Sequence, residues 1–163
     1  MIYSFFVINE NGEIRLARSY IEMSQDQRNR LAHEVFRMVS TRSTNLCNII
    51  PGDSITSFTF QRKVSIVYKT YASLYVIVVA DECENPLAIL DIIQSFVEVL
   101  NGCFRDVSEV QLAFNPDKAL QVLDSLINGG LIFETNQELA LQRLAEENEA
   151  DKKFGIKMNY QKK

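Results

Sequence analysis

Residues 63–81, KVSIVYKTYASLYVIVVAD, decide how the rest of this 163-residue chain is arranged. Two runs rich in β-branched and aromatic residues flank a short break near Thr70 to Ser73, which predicts two strands joined by a tight turn. The second run, YVIVVA, is apolar at every position. A strand of this kind is central and buried on both faces, so helices are expected on either side of the sheet.

A second hairpin is predicted at the start of the chain. IYSFFVI at 2–8 and EIRLARSYI at 13–21 have strand-like composition, and Asn11-Gly12 between them is a strong turn signal. Arg15 faces away from the apolar residues on either side of it in the second of these strands. It is either a solvent-facing arginine or an anion-binding one, since a guanidinium suits carboxylate and phosphate groups.

Two amphipathic helices follow from the spacing of apolar residues. Ser24 and Gln27 fit a capping box, and an apolar stripe continues to about Arg42. That stripe contains Leu31, Ala32, Val35, Phe36, Met38 and Val39. A second helix is expected from Pro86 to about Arg105. Its apolar residues cover more than half of its circumference, so it should be buried on two sides.

Two further helices are predicted in the C-terminal third. Asn115 before Pro116 is a typical helix start, and two glycines at 129–130 end that helix. Thr135 and Glu138 fit another capping box, which opens the last helix. The order of hairpin, helix, β-meander and helices predicts an α+β fold with an antiparallel sheet and helices packing on its faces.

Length and composition favour one folded domain at 1–145, followed by a charged tail at 146–163 that is expected to fray. The hydrophobic fraction is 47%, an ordinary value for a globular protein. A formal net charge of −4 and the lack of a Lys/Arg block argue against a nucleic-acid partner. No continuous apolar run reaches the roughly 18–20 residues of a membrane span, and the first residues do not resemble a signal peptide.

The chain has no recognisable catalytic or metal-binding motif. The single histidine, His33, lies on the polar side of a helix, and the three cysteines lack metal-type spacing. Asp81, Glu82 and Glu84 precede a helix, where acidic side chains favour the N-terminus, and they are not expected to bind a metal. Phosphate-binding glycine loops and hydrolase motifs are absent from the sequence. We therefore predict a non-enzymatic binding protein with no catalytic residue, metal or cofactor.

Four segments together resemble a known family of trafficking proteins. RLAR at 15–18, IVYKTYASLYVIVVAD at 66–81, LDIIQSFVEVLNGCFRDVSEVQLAF at 90–114 and GGLIFETN at 129–136 closely resemble the small, or sigma, subunits of clathrin-type adaptor complexes. The pattern Y-x-x-Y-A-x-L-Y followed by F-V-E-V-L-N is highly specific. The longer loop with LCNIIPGDSI makes the chain most similar to sigma subunits of the third adaptor complex.

The resemblance implies a longin-like (SNARE-like) fold, a five-stranded antiparallel sheet with helices on both faces. It also implies a heterotetramer, in which the sigma subunit packs against a delta-type large subunit beside beta- and mu-type subunits. Such a complex is cytoplasmic and peripheral on Golgi and endosomal membranes and coated vesicles. It is recruited there by a small GTPase and serves transport to the lysosome or vacuole.

The resemblance further implies a ligand, the acidic dileucine signal [DE]xxxL[LI] in the cytosolic tails of membrane cargo. The family's leucine pocket corresponds to Ala72, Leu74, Val97, Val107 and Leu112. Arg15 would attract the acidic residue of the signal. Asp106, a neighbour of the pocket, stands where the family commonly has Asn, and a carboxylate there would tend to repel an acidic signal.

Three other functions remain open at this stage. A longin-type regulator of a small GTPase, acting in nucleotide exchange, shares the order of strands and helices but lacks the YASLY and FVEVLN match. The zeta subunit of the Golgi vesicle coat is sigma-like but has a less similar core sequence. Because of Asp106, a purely structural role with a vestigial pocket is also possible.

Overall fold

The computed structural model describes residues 1–104 and 107–153, which form seven strands and five helices. The strands are β1 (Ile2–Asn9), β2 (Ile14–Ser19), β3 (Ile49–Pro51), β4 (Val64–Tyr71), β5 (Leu74–Asp81), β6 (Ile127–Asn128) and β7 (Leu131–Ile132). The helices are α1 (Gln25–Ser40), α2 (Pro86–Phe104), α3 (Glu109–Phe114), α4 (Pro116–Leu126) and α5 (Gln137–Lys153).

Strands β1 to β5 form one antiparallel sheet in the order β2-β1-β5-β4-β3. The predicted central strand is confirmed, because β5 pairs with β1 on one side and β4 on the other, and six of its residues are buried apolar ones. The turn between β4 and β5 consists of Ala72 and Ser73 alone, with Tyr71 paired to Leu74.

The predicted N-terminal hairpin is also confirmed. Gly12 adopts a φ of 84°, in the left-handed region that a glycine enters without steric cost. The fully buried Asn9 ends β1, and its side-chain oxygen accepts hydrogen bonds from the backbone N–H groups of Asn11 (3.0 Å) and Glu13 (2.8 Å). The side-chain oxygen of Asn9 therefore holds the turn, and the side-chain nitrogen can donate hydrogen bonds to other groups.

Helices cover both faces of the sheet, as the apolar β5 sequence predicts. On one face, α1 buries four residues of its predicted stripe, Leu31, Ala32, Val35 and Val39, and half-buries the other two. On the other face, α2 packs on the sheet, and the ring of Phe96 meets that of Phe5 edge-on with centroids 5.0 Å apart. The predicted α+β fold, an antiparallel sheet between helices, is confirmed.

The two-sided burial predicted for α2 is explained by α4 and α5, which pack on its outer side. Ser95 of α2 donates a hydrogen bond to the carbonyl of Thr135 at 2.9 Å, and Gln137 of α5 donates one to the carbonyl of Glu98 at 3.2 Å. The length of α2, 19 residues, and its mean hydropathy of 1.6 would also suit a membrane span. Packing between the sheet and two helices accounts for that composition.

One of the two predicted capping boxes is confirmed and the other is wrong. The side chain of Ser24 accepts from the N–H of Gln27 at 3.1 Å, and the side chain of Gln27 accepts from the N–H of Ser24 at 2.8 Å. At α5 the cap is Asn136, whose side-chain oxygen accepts from the N–H groups at 138 and 139. Thr135 lies one residue before the cap, and the carboxylate of Glu134 accepts from the N–H groups of both Thr135 (3.0 Å) and Asn136 (2.9 Å).

The C-terminal third differs from the sequence prediction in several details. α4 ends at Leu126, before the glycines at 129–130, which instead form the turn between β6 and β7. The short helix α3 is capped by Ser108, whose side chain accepts from Gln111 N–H at 3.3 Å. Asn115 begins α4 without a side-chain cap, and its amide instead donates to the carbonyl of Gln111 at 3.2 Å. α5 runs through the predicted domain boundary at 145–146.

The loop between β3 and β4 is fastened to α1 by one carboxylate. Glu34 accepts hydrogen bonds from the N–H and hydroxyl of Thr56 (2.9 and 2.8 Å) and from the N–H of Ser57 (2.9 Å). Burial alone would raise the pKa of Glu34, but hydrogen bonds from Ser57 and Thr56 outweigh it and lower the pKa to about 2. The loop is therefore held by a side chain that is ionised at neutral pH.

Candidate functional site

A cavity of about 190 Å³ opens between α2, α3 and the ends of the central strands. Its lining residues are Val7, Tyr71, Ala72, Leu74, Val76, Phe96, Val97, Leu100, Asn101, Val107 and Leu112. All five apolar residues that the family resemblance assigns to a leucine pocket are in this set. They come from the β4–β5 turn, from α2, from the segment before α3 and from α3 itself, so the fold brings together positions up to 40 apart in the chain.

The five predicted residues divide into a floor and a rim. Leu74, Val97 and Leu112 form the floor, with exposed fractions of 5%, 8% and 1%. Ala72 is exposed and Val107 is half-buried, so both lie at the mouth. An apolar floor below an accessible rim is the usual form of a pocket that receives an apolar side chain.

The backbone around the mouth is fixed by local contacts. Ala72 has a φ of 51°, the one positive φ among the described non-glycine residues, and occupies the first position of a two-residue turn. The side chain of a second lining residue, Asn101, accepts from the N–H of Val107 at 3.0 Å. Asn101 lines the cavity but did not stand out in the sequence, because it belongs to the polar stripe of α2.

A polar network borders the cavity on the side of β4. The hydroxyl of Tyr71 and the ammonium of Lys69 both donate to the side-chain oxygen of Gln94 at 2.8 Å. The amide of Gln94 in turn donates to Glu98 at 2.8 Å. Burial, with a further contribution from Glu98, raises the pKa of Tyr71 to about 12, so this hydroxyl remains a neutral donor at physiological pH.

Arg15 does not line the cavity, but it lies beside it in a group of polar side chains. Its Nε and Nη2 donate to one carboxylate oxygen of Glu109 at 3.0 and 2.6 Å, and its Nη2 also donates to Glu13 at 2.6 Å. Glu109 begins α3 and precedes the cavity residue Leu112 by three positions. The sequence predicts that Arg15 could bind an anion. In the structure Arg15 binds two carboxylates of its own chain, those of Glu13 and Glu109.

Asn9 completes this group from the interior. Its side-chain amide donates to Glu13 at 2.7 Å and to Glu109 at 2.6 Å. Hydrogen bonds from Asn9 and Arg15 and the charge of Arg15 outweigh burial and lower the pKa of Glu109. Four side chains of β1, β2, the hairpin turn and α3 therefore form one connected cluster, which we call the Arg15 cluster (Asn9, Glu13, Arg15, Glu109).

Two other positions were considered in the sequence, Asp106 and the acidic residues at the end of β5. Asp106 lies outside the described residues. Asp81 accepts from the hydroxyl of Tyr3 at 3.1 Å and from the N–H of Cys83 at 2.9 Å, so its carboxylate completes the turn after β5. Across 1–104 and 107–153, no three His, Cys, Asp or Glu side chains are placed to hold a metal ion.

Comparison with known proteins identifies relatives that span nearly the whole chain. The family model for the clathrin adaptor complex small chain matches residues 1–151. The AP-3 complex subunit sigma of Dictyostelium discoideum is 36% identical over 152 residues, covering 93% of this chain and 88% of that protein. The human AP-3 complex subunit sigma-2 is 34% identical over 155 residues, covering 95% of this chain and 79% of that protein.

The fold also has a counterpart in a structure of a multi-subunit complex. A chain of the homology model of the full-length AP-3 complex in a stretched open conformation superposes with a TM-score of 0.70 and 29% identity. The match covers 96% of this chain and 99% of that one. The similarity therefore extends over the sheet and the helices on both of its faces.

Proposed function

Because the chain belongs to the clathrin adaptor complex small chain family, we propose that it is the sigma subunit of an AP-3-type adaptor complex and binds acidic dileucine signals together with its large subunit. The predicted family, and the similarity to AP-3 sigma subunits within it, are confirmed by these relatives. One observation carries the proposed binding activity. All five residues that correspond to the family's leucine pocket line a single apolar cavity.

The cavity suits a leucine side chain. A dry apolar cavity of roughly 150 Å³ accepts a benzene-sized group, so about 190 Å³ has room for one four-carbon side chain with space at the mouth for a second. Burying each leucine contributes about 1.5–3 kcal/mol before the cost of ordering the peptide. Apolar burial therefore supplies most of the affinity.

The proposed partners are a delta-type large subunit and the beta- and mu-type subunits of one heterotetramer. Similarity to a chain of the full-length AP-3 complex supports this assembly. This chain also presents exposed apolar side chains that a large subunit would cover, as expected for a stable interface. They are Val110, Phe114, Leu131 and Phe133.

The proposed cellular role follows from that assembly. As a coat subunit the chain acts without catalysis, on the cytoplasmic side of Golgi and endosomal membranes and on coated vesicles. It would be recruited with its complex by a small GTPase and would sort cargo towards the lysosome or vacuole. The AP-3 sigma relatives favour this role over nucleotide exchange and over the Golgi coat zeta subunit.

The test uses the complex purified through a tag on this chain, in which we expect a stoichiometric delta-type subunit. Three peptides are compared: one with the E-x-x-x-L-L signal, one with both leucines replaced by alanine, and one with the acid replaced by glutamine. Removing both leucines is expected to weaken binding at least about 100-fold, because two buried side chains are lost. Equal affinity for the leucine and alanine peptides would refute the pocket, leaving the structural role with a vestigial cavity.

A further inference from the structure

The Arg15 cluster contains more negative than positive charge. Glu13 and Glu109 both contact Arg15, and Asn9 is neutral, so the formal charge of the four side chains is −1. A cleft attracts a charged ligand most strongly when charges of the opposite sign dominate its lining. Here the guanidinium is already neutralised within the folded chain.

The contact with Glu109 uses the part of the guanidinium that a ligand would need. Nε and Nη2 form one of the edges through which arginine holds a carboxylate with two parallel hydrogen bonds. Both groups donate to the same oxygen of Glu109, at 3.0 and 2.6 Å. A carboxylate of a bound peptide must displace Glu109 to gain this edge.

Glu109 is held in place independently of Arg15. The amide of the fully buried Asn9 donates to the same Glu109 oxygen at 2.6 Å. Asn9 cannot turn away freely, because its side-chain oxygen is bonded to the backbone of the hairpin turn. Displacing Glu109 from Arg15 therefore also disturbs a fixed internal donor, or leaves Glu109 as a second carboxylate beside the incoming one.

The Arg15 cluster is directly connected to the cavity. Asn9 faces the floor residue Leu74 across the β1–β5 pair, and Glu109 lies three positions before the floor residue Leu112 on α3. Glu109 thus joins Arg15 to the helix that supplies part of the cavity floor. An acidic residue upstream of a bound leucine would approach the guanidinium of Arg15.

We infer that Glu109 is an internal competitor for Arg15 and sets how strongly the site prefers an acidic residue in its peptide ligand. This inference rests on the proposed dileucine binding and adds its charge specificity. In the native chain the acidic residue contributes little, because its gain at Arg15 is offset by loss of the Arg15–Glu109 contact and by repulsion from two carboxylates. The site is therefore expected to accept dileucine peptides whether the upstream residue is acidic or neutral.

The test compares the native complex with Glu109→Gln. Glutamine keeps the length of the side chain and an oxygen that can accept from Asn9 and Arg15, so α3 stays anchored while one negative charge is removed. Glu138→Gln is the matched control, because Glu138 is an exposed glutamate in the first turn of another helix, α5. Two dileucine peptides are used, with glutamate or glutamine at the upstream position, and the ratio of their dissociation constants measures acid preference.

In the native complex the two dissociation constants are expected to differ by less than about 3-fold. Glu109→Gln is expected to tighten the acidic peptide about 5- to 10-fold and to leave the neutral peptide within about 2-fold, so the ratio rises. Glu138→Gln should leave the ratio at its native value. A purely structural role for Glu109 would change both peptides alike.

Two other results would refute the inference, and they differ from one another. If both peptides bind the native complex but Glu109→Gln leaves the ratio unchanged or lowers it, Glu109 does not compete for Arg15, while the proposed function stands. If neither peptide binds the native complex or the variant, the proposed function fails and the inference fails with it. Glu13→Gln provides a second variant, and it should raise the ratio less, because Glu13 is more exposed than Glu109.

Discussion

Val97→Asp is expected to abolish binding of the dileucine peptide by the assembled complex, a loss of more than about 100-fold. Val97 belongs to the floor of the cavity and is 8% exposed. An aspartate there puts a carboxylate where the leucine side chain would lie, in surroundings with few polar partners. Either the charge is desolvated when the peptide binds or water fills the cavity, and both exclude the ligand.

The matched control for Val97→Asp is Leu87→Asp. Leu87 belongs to the same helix, α2, but is 66% exposed and does not line the cavity. An aspartate there should leave peptide affinity within about 2-fold in complexes of equal subunit stoichiometry. Leu112→Ser, a second change in the cavity floor, should also abolish binding. Native affinity in both floor variants would contradict the proposed pocket.

Gly130→Ala is expected to lower the free energy of unfolding of the chain by about 3 kcal/mol. Gly130 has a φ of 81°, in the left-handed region, and its carbonyl accepts from the N–H of Ile2 at 2.7 Å. A Cβ at this position would overlap the carbonyl oxygen of Ile2. Relief of the overlap requires the β6–β7 hairpin to move away from β1, with loss of that hydrogen bond.

The neighbouring Gly129 provides a control that separates the cost of left-handed backbone strain from the cost of the steric overlap with Ile2. Gly129 also has a positive φ, of 58°, but a Cβ there meets nothing within 4 Å. Gly129→Ala should therefore cost only the left-handed strain, about 1–2 kcal/mol. Chemical denaturation of both variants measures the difference. Equal losses would mean that the approach of Gly130 to Ile2 does not stabilise the docked hairpin.

The main elements of the fold could be predicted because local and long-range requirements agree in this chain. The apolar run of β5 requires helices on both faces of the sheet, and the wide apolar surface of α2 requires packing partners on two sides. Both patterns predict the same arrangement, in which α2 lies between the sheet and further helices. The start of α5 could not be predicted from its capping pattern. Asn136 and Thr135 are both good cap residues, and only the structure shows that the side chain of Asn136 accepts from the first turn of α5.

The candidate site was predictable only in part. Residue patterns alone gave a surplus of apolar side chains in α2 and beyond, and the family resemblance was needed to assign Val97, Val107 and Leu112 to a pocket. Leu100 lies in the core and also lines the cavity. The contact of Arg15 with Glu109 joins residues 94 positions apart, so neither local spacing nor charge pattern could reveal it.

The most direct test of the central claim is photo-cross-linking of a dileucine peptide to the assembled complex. The peptide carries a diazirine analogue of leucine at each leucine position in turn, and adducts are located by mass spectrometry. The proposed pocket predicts adducts on this chain at Leu74, Val97, Val107 or Leu112, which excess unmodified peptide removes. Competed adducts confined to other subunits, with none on these cavity residues, would contradict it.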